Sequence, residues 1–540
     1  MLATSNLIDT YRKADALLAK GELQQAADIC KRMLADNPDF AYGYHLMATL
    51  FRTTGNLEKA LNFTGLAIRI DPGVASFYVQ RGQLLFTLKY FDEAAEVFDK
   101  LLEMEPLSAH YMLLRADVYA KQEQYDEAIA LLSSARKHAG DAEIANVDEH
   151  EGRCMLAMGE IKKAEKFFDR SIAAKPEATR SYIEKGKILL FEKRDHEAEV
   201  CFAKAINNDP HSWEALHGMA IVNERQGQTD SAIALAIQAV NADNAIFDSL
   251  MLLGNLLLRK QSWDGAEHIF RQALSVIPDS VYAWHGLATS LIPQKKLETI
   301  EGEFKQLLVS RPDNKALTFL CESVCGKVPT VSPEAYALSW FDDYASRYEF
   351  YLPSLGSYQA SSLCELVRGL SQLADRKDCS FLDLGCGSGM AAEHMRDITN
   401  MSVAVDLSPR MLDMARLRSC YDEYYALDVG EFALGSDRVF DIIIAMDVLP
   451  YIGDLDQFFK VTRNLMGAGS VFAFTVEKVD KGMDFQLGQN GRYKHKSSYV
   501  RSMIEEQGYE LLVEEEMLLR FDGGQPVKGF SYVIKKATIH

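Results

Sequence analysis

Pro38, Pro72 and Pro106 stand 34 residues apart, as do Pro176 and Pro210, then Pro278 and Pro312. Gly140 and Asn244 hold the places where the series calls for a proline. One step, from Gly140 to Pro176, is 36 residues, with the two extra residues near "HAGDAEI". Twelve residues before each marker sits an alanine: Ala26, Ala60, Ala94, Ala128, Ala164, Ala198, Ala232 and Ala266, with Ile300 as the departure. Twenty-four before it come Ala14, Ala48, Gly82, Ala116, Gly152, Gly186, Ala220, Gly254 and Ala288. A fixed period of this length restricts the fold more than any composition does, because each copy must bury its apolar face against its neighbours. Small residues at paired positions let two antiparallel helices approach closely. The proline lacks an N–H donor and ends the second helix.

The period and the small-residue pattern resemble nine tetratricopeptide repeats over roughly residues 7–314. With a closing helix at "KALTFLCESVCGKV", they predict an array over residues 1–325. The resemblance implies an α superhelical solenoid whose first helices line a concave groove. Tyr42, His45, Arg52, Gln83, Arg180, Lys187, Asn255, Tyr282 and His285 fall at the lining positions. By analogy with the fold, such arrays bind or assemble proteins, so a protein partner or protein substrate in the groove is expected.

Several classes are excluded. Apolar runs such as "DIIIAMDV" are far too short for a membrane span, and the N-terminal stretch has no signal-peptide core, so a cytoplasmic location is expected. The nine cysteines include no CxxC pair; Cys321 and Cys325 are the closest couple, and no His-Asp-Glu grouping points to a metal. The formal net charge is −19, and residues 331–540 alone hold 31 acidic against 21 basic side chains. Neither half offers the basic face that a phosphate backbone needs, which argues against nucleic acid.

Beyond the array, Pro329 and Pro333 mark a connector over 326–375. From 376 to 540 short apolar runs ("SFLDLG", "SVAVDL", "YYALDV", "FDIIIAMD", "SVFAFTVE") alternate with helical stretches. That alternation predicts an α/β domain with a parallel sheet covered by helices. Gly385, Gly387 and Gly389 lie where a strand turns into a helix. A dinucleotide fingerprint needs its third glycine one residue later, where Met390 stands, and a phosphate-binding Walker loop needs a GK[ST] ending that is absent. Asp383, inside the turn, would repel a pyrophosphate. A cationic ligand fits better, and S-adenosylmethionine carries both an ammonium and a sulfonium.

"DLGCGSG" is similar to the [DE]xGxGxG loop of class I S-adenosylmethionine-dependent methyltransferases, a Rossmann-like fold. The resemblance implies that Asp383, Gly385, Cys386, Gly387 and Gly389 cradle S-adenosyl-L-methionine and that Asp406 takes both ribose hydroxyls. It places Asp428 at the adenine amino group, with Leu407, Met411 and Val429 around the ring and Met446 nearby. Two further segments, "FDDYASRYEF" with Tyr344 upstream and "GRYKHKSSY" downstream, resemble bacterial methyltransferases that carry tetratricopeptide repeats. Ser346 and Gln359 depart from that pattern, which commonly has proline and arginine there. Residues 326–375 then read as connector and cofactor-lid helices, and Tyr344 joins the cofactor set.

Methyl transfer needs an aligned nucleophile, water exclusion and, for a protonated acceptor, a base. His495 is the first candidate base, with Tyr451 and Asp447 next. Arg492 and Arg520 could grip an anionic group. The nucleic-acid amino-methylating motif [DNS]PP[YFW] has only "DVLPY" in its place. A protein acceptor recruited by the groove, a small-molecule acceptor, and an inert scaffold remain as three functional readings.

Overall fold

The structure, a computed structural model, describes residues 2–243, 246–326, 334–342, 357–370, 373, 376–479, 481–522 and 525–537. Nine helix hairpins run from Leu2–Ala19 and Leu23–Asp36 to Val281–Leu291 and Leu297–Ser310, followed by the closing helix Lys315–Val324. Each described marker proline follows directly on the residue that caps the second helix: Pro72 after Asp71, Pro106 after Glu105, Pro210 after Asp209. Asn244 lies outside the described residues.

Size matching explains the alternation of glycine and alanine. In four hairpins the second helix puts a phenylalanine against the small position of the first. A Cβ on Gly82, Gly152, Gly186 or Gly254 would come within 2.2, 2.8, 2.8 and 2.7 Å of Phe98, Phe168, Phe202 and Phe270. Real Cβ atoms do not approach that closely, so the ring fills the space a methyl would take. Where the small residue is alanine, the matching position mostly holds something slimmer: Cys30, Thr64, Leu132 or Ala236. Ala288 facing Phe304 is the exception.

By its contacts the chain divides into two compact units, Met1–Ser181 and Tyr182–His540, and the division falls inside the helix Thr179–Phe191. In the first unit the expected groove positions Tyr42, Arg52, Gln83 and Arg180 are exposed, Tyr42 to 41%, and His45 is half-buried. Lys187, in the second unit, pairs with Glu184 at 3.2 Å. Also in the second unit, Asn255 donates to Tyr282 Oη at 2.7 Å, and Tyr282 and His285 are 8% and 9% exposed. They are covered by the chain itself. A helix over residues 334–342 lays Trp340 edge-on to both rings, 5.0 Å from Tyr282 and 4.6 Å from His285 between centroids. Its Tyr336 ring packs at a tilt, 5.0 Å between centroids, against Phe319 of the closing helix. One apolar core therefore runs from Phe202 and Phe270 through Phe304 and Phe319 to Tyr336 and Met411.

The sheet of the second unit has nine strands: β1 (Cys379–Leu384), β2 (Thr399–Asp406), β3 (Glu423–Ala426), β4 (Phe440–Ala445), β5 (Met466–Lys478), β6 (Phe485–Leu487), β7 (Tyr493–His495), β8 (Tyr509–Asp522) and β9 (Gln525–Lys536). β3-β2-β1-β4-β5 are parallel, as the alternation predicts. The far edge is not: β9 pairs antiparallel with β5, and β8 with β9. The hairpin of β6 and β7 attaches to the end of β5 through Glu477 and Lys478. The strand order reverses between β1, which neighbours β2, and β4. In such sheets ligands bind outside the carboxyl ends of the strands at this switch point.

Candidate functional site

At the carboxyl end of β1 the chain turns through the glycine loop into the helix Met390–Met395. Gly385, Gly387 and Gly389 all have positive φ, at 68°, 54° and 85°. At Gly385 a Cβ would lie 2.3 Å from a Val448 methyl, so conformation and space both demand glycine there. The amides of Gly385 and Cys386 donate to Val405 O at 2.8 and 3.0 Å, which folds the loop against the end of β2.

That end is Asp406. Its Oδ2 accepts from Gly387 N at 2.8 Å and its Oδ1 from Ser408 N at 2.9 Å. Each carboxylate oxygen has two acceptor sites, so one on each stays available for a vicinal diol. Burial pushes the Asp406 carboxyl up to about 6, against the pull of the two amides and with a further push from Asp342. Asp383 is buried too, and accepts from Tyr421 Oη at 2.5 Å. Burial pushes its carboxyl up to about 7, with Tyr421 opposing and Asp406 adding. A cation placed beside it would restore the ionised form.

The other expected cofactor residues vary in setting. Asp428 caps the helix Val429–Gly435, accepting from Gly430 N at 2.7 Å and Glu431 N at 3.4 Å. Leu407 and Val429 are half-buried, and Met446 packs against Ala360 and Met390. Met411 is fully buried in the core shared with the last repeats. Tyr344 and Ser346 lie outside the described residues, as does the side chain of Gln359. Ser408, directly ahead of a proline at the first helical position, caps the helix Pro409–Arg418 by accepting from Met411 N at 3.2 Å. Its hydroxyl donates to Asp342 Oδ1 at 2.6 Å.

Beyond β4 and β5 lies a second, charge-balanced cluster. Asp447 has φ 59°, a left-handed conformation that aspartate tolerates better than most residues, and its N–H donates to Thr475 Oγ at 3.0 Å. Arg492 Nη1 donates to both Asp447 oxygens at 2.9 and 3.0 Å, and Arg520 Nη1 to Oδ1 at 3.2 Å. Arg520 also bonds Glu477 of β5. Two guanidiniums therefore face two carboxylates. Arg492 lies over the Tyr451 ring at 4.9 Å, and Phe341 meets that ring edge-on at 5.6 Å. Tyr451 Oη and Glu477 Oε2 are both buried, with no hydrogen-bond partner among the described residues. Burial holds the Tyr451 phenol well above its usual range, so it is protonated at neutral pH.

His495 is fully buried. Its Nε2 lies 3.0 Å from the carbonyls of both Ile452 and Gly453, which makes that nitrogen the donor in the neutral ring. Burial lowers its pKa, so the ring stays neutral at physiological pH. Nδ1, buried and without a partner among the described residues, is left to accept a proton. The sequence thus brings together Asp447, Tyr451 and Arg492, with Glu477 as an unforeseen member.

Residues 382–474 match the family model of a methyltransferase domain, and residues 79–142 and 179–212 match models of the tetratricopeptide repeat. The chain carries tetratricopeptide repeats followed by an α/β methyltransferase domain. It is similar to the human protein O-mannosyl-transferase TMTC3, 24% identical over 55% of this chain and 33% of that one. Malonyl-[acyl-carrier protein] O-methyltransferase of Pseudescherichia vulneris is 32% identical over 20% of this chain and 42% of the enzyme. Ubiquinone biosynthesis O-methyltransferase of Bartonella tribocorum is 25% identical over 25% and 57%. The chain thus spans from a third to under three-fifths of these relatives' lengths. A solved S-adenosylmethionine-dependent methyltransferase from Clostridium acetobutylicum superposes with TM-score 0.29 at 18% identity, covering 37% of this chain and 99% of that one. Among the described residues no helix is long and apolar enough to cross a membrane.

Proposed function

We propose that the chain transfers a methyl group from S-adenosyl-L-methionine to an acceptor on a protein recruited by the repeats. The observation that carries the cofactor half is the Asp406 carboxylate, gripped by Gly387 N and Ser408 N with one acceptor site on each oxygen left for a ribose hydroxyl. The positive-φ glycines give the backbone room to approach a ligand, and Asp383 offers a carboxylate for its ammonium. When bound, the cofactor supplies the electrophilic methyl. The chain's own residues hold the ribose at Asp406 and exclude water through Phe341 and Tyr451.

On the acceptor side, Asp447 and Glu477 already neutralise Arg492 and Arg520, which disfavours an anionic acceptor group. A neutral group able to donate to Glu477 Oε2 and accept from Tyr451 Oη suits the cluster better. Asp447 and Arg492 then orient the acceptor pocket, and His495 Nδ1 is the remaining candidate base. Support for a protein acceptor is the exposed row of groove residues in the first unit. A second reading, a small-molecule hydroxyl, is favoured by the same neutral cluster and by the O-methyltransferase relatives.

Calorimetry with the full chain tests the cofactor. We expect one S-adenosylmethionine per chain with an affinity in the micromolar range, about 7–8 kcal/mol. No heat with that ligand, or binding of a nicotinamide dinucleotide instead, overturns the reading. Incubating the full chain with methyl-labelled cofactor and a cell lysate then divides the acceptors. Label in the protein fraction supports recruitment, and label confined to small molecules supports the second reading.

A further inference from the structure

The helix over residues 334–342 touches three things at once. Trp340 seats on Tyr282 and His285 of the ninth repeat, at 5.0 and 4.6 Å between ring centroids. Phe341 leans on Tyr451 of the acceptor cluster. Asp342, two residues past Trp340, accepts from Ser408 Oγ at 2.6 Å through Oδ1 and from Arg410 Nη1 at 3.0 Å through its backbone carbonyl. Ser408 in turn fixes Asp406 through its own N–H at 2.9 Å. The links form an unbroken chain from a repeat helix to the carboxylate assigned to the ribose.

We infer that Trp340 and Asp342 are positioning residues for the cofactor, and that the ninth repeat is a structural part of the cofactor site. The inference rests on the S-adenosylmethionine reading of Asp406. A short helix is marginal alone and needs tertiary packing to hold it. Here most of the packing comes from the array, Trp340 on repeat nine and Tyr336 on Phe319, while the Tyr336 hydroxyl donates across to Asn490 O, between β6 and β7, at 3.4 Å. Docked in this way, the helix presents Asp342 to Ser408, and Ser408 sets the cap of Pro409–Arg418 and the outer edge of Asp406. Without the dock, Ser408 loses its acceptor, and the Asp406 rotamer loses part of its outer support. The positions that the repeat pattern reserves for a partner are, at this end, used to assemble the catalytic half.

Charge gives an independent handle. The groups facing Asp406 are Asp342 from this helix, Asp383 from β1, Cys386 of the glycine loop and the amides of Gly387 and Ser408. Withdrawing Asp342 removes a negative neighbour, so Asp406 ionises at lower pH. Binding that needs ionised Asp406 then survives to lower pH, even though it is weaker at neutral pH. Simple loss of folding would not shift this acid limb downward.

The test uses the full chain with S-adenosylhomocysteine as calorimetric probe across pH 5–8. Trp340→Ala is expected to raise Kd at pH 7.5 about tenfold and Asp342→Ala about fivefold, with the double variant also about tenfold because the first change already removes the second contact. Both single variants should move the acid limb of binding downward. His285→Ala, a change in the repeat itself, should act in the same direction as Trp340→Ala, and Val309→Ala, on an exposed face of the same repeat, should do nothing. A fiftyfold double effect, or Trp340→Ala weakening binding with the limb unmoved, overturns the inference. A wild type that binds no probe sinks the cofactor reading, and the coupling is then decided by hydrogen exchange without ligand. Trp340→Ala should speed exchange of the Gly387 and Ser408 amides; unchanged exchange there overturns the coupling.

Discussion

Repeats two and nine carry the same pair of side chains at the same repeat positions: Tyr42 and His45 in one, Tyr282 and His285 in the other. In repeat nine both are covered by Trp340, whereas Tyr42 is 41% exposed and, among the described residues, meets rings of its own and neighbouring repeats, Tyr11, Phe40 and Phe77. His45 is half-buried beside the Phe77 ring, 5.1 Å away between centroids. Identical residues in identical frames thus end in different states, because in repeat nine the deciding side chain, Trp340, comes from 55 to 58 residues downstream. A repeat position specifies a surface. It does not specify whether that surface is spent inside the chain.

The largest effect expected from this contrast concerns where the chain can be cut. A fragment of residues 326–540 leaves Tyr336 and Trp340 without their seats on Phe319, Tyr282 and His285, and should aggregate or fail to bind cofactor. A fragment of residues 182–540 keeps them and should fold. Expression with solubility and circular dichroism checks both. A well-folded, cofactor-binding 326–540 fragment would place the boundary where the repeat period ends and would break the contrast.

Next in size are two truncations. Trp340→Ala should cost about 2 kcal/mol or more, from lost aromatic packing. Tyr42→Ala, at a ring 41% exposed, should cost less, about 1 kcal/mol. Denaturant unfolding of the full chain measures both, and equal losses would mean that the Tyr42 ring matters to folding no less than the Trp340 dock.

A smaller effect separates the two ends by pH. Asp383, in the unit that contains repeat nine, has its carboxyl raised to about 7 in the folded state. Its contribution to stability is therefore fully present below the unfolded value near 4 and is lost as pH rises through about 7. Asp383→Asn should thus melt higher than the ligand-free wild type at pH 8, by about 2–3 °C, with the gap narrowing below pH 7 and closing only near pH 4. A scan of melting temperature against pH checks it. A gap that widens toward acid would mean that the carboxylate is stabilised where it sits.

Much of this is legible in the sequence, and the division follows sequence distance. The hairpins and their ends follow from the prolines and the small residues, since both are contacts within one repeat. The glycine loop and Asp406 are legible because a turn of fixed geometry needs those residues within a few positions of a strand end. The antiparallel edge of β8 and β9 leaves no such mark, since a strand's own residues read alike whichever way its neighbour runs. Ser408 and Asp342 meet across 66 residues, and Arg520 and Asp447 across 73. No local spacing announces such pairings. Arg492 and Arg520 read as free anion grips for that reason: their carboxylates come from the turn after β4 and from β5. His495 reads as a base from its own motif, yet its neighbours Ile452 and Gly453 reach it from a separate loop.

The matched glycine and phenylalanine within a hairpin bear on how such an array can change by recombination. By period alone the repeats are interchangeable, and crossover between any two equivalent positions would preserve the reading frame of the solenoid. The hairpins, however, are individually keyed: Phe98 fits Gly82, and a first helix taken from repeat four would bring Ala116 against that ring instead. Exchange in the loops between hairpins leaves every key with its lock, while exchange between the two helices of a hairpin separates them. Natural duplication and laboratory chimeras alike should therefore tolerate junctions near the marker prolines far better than junctions half a period away.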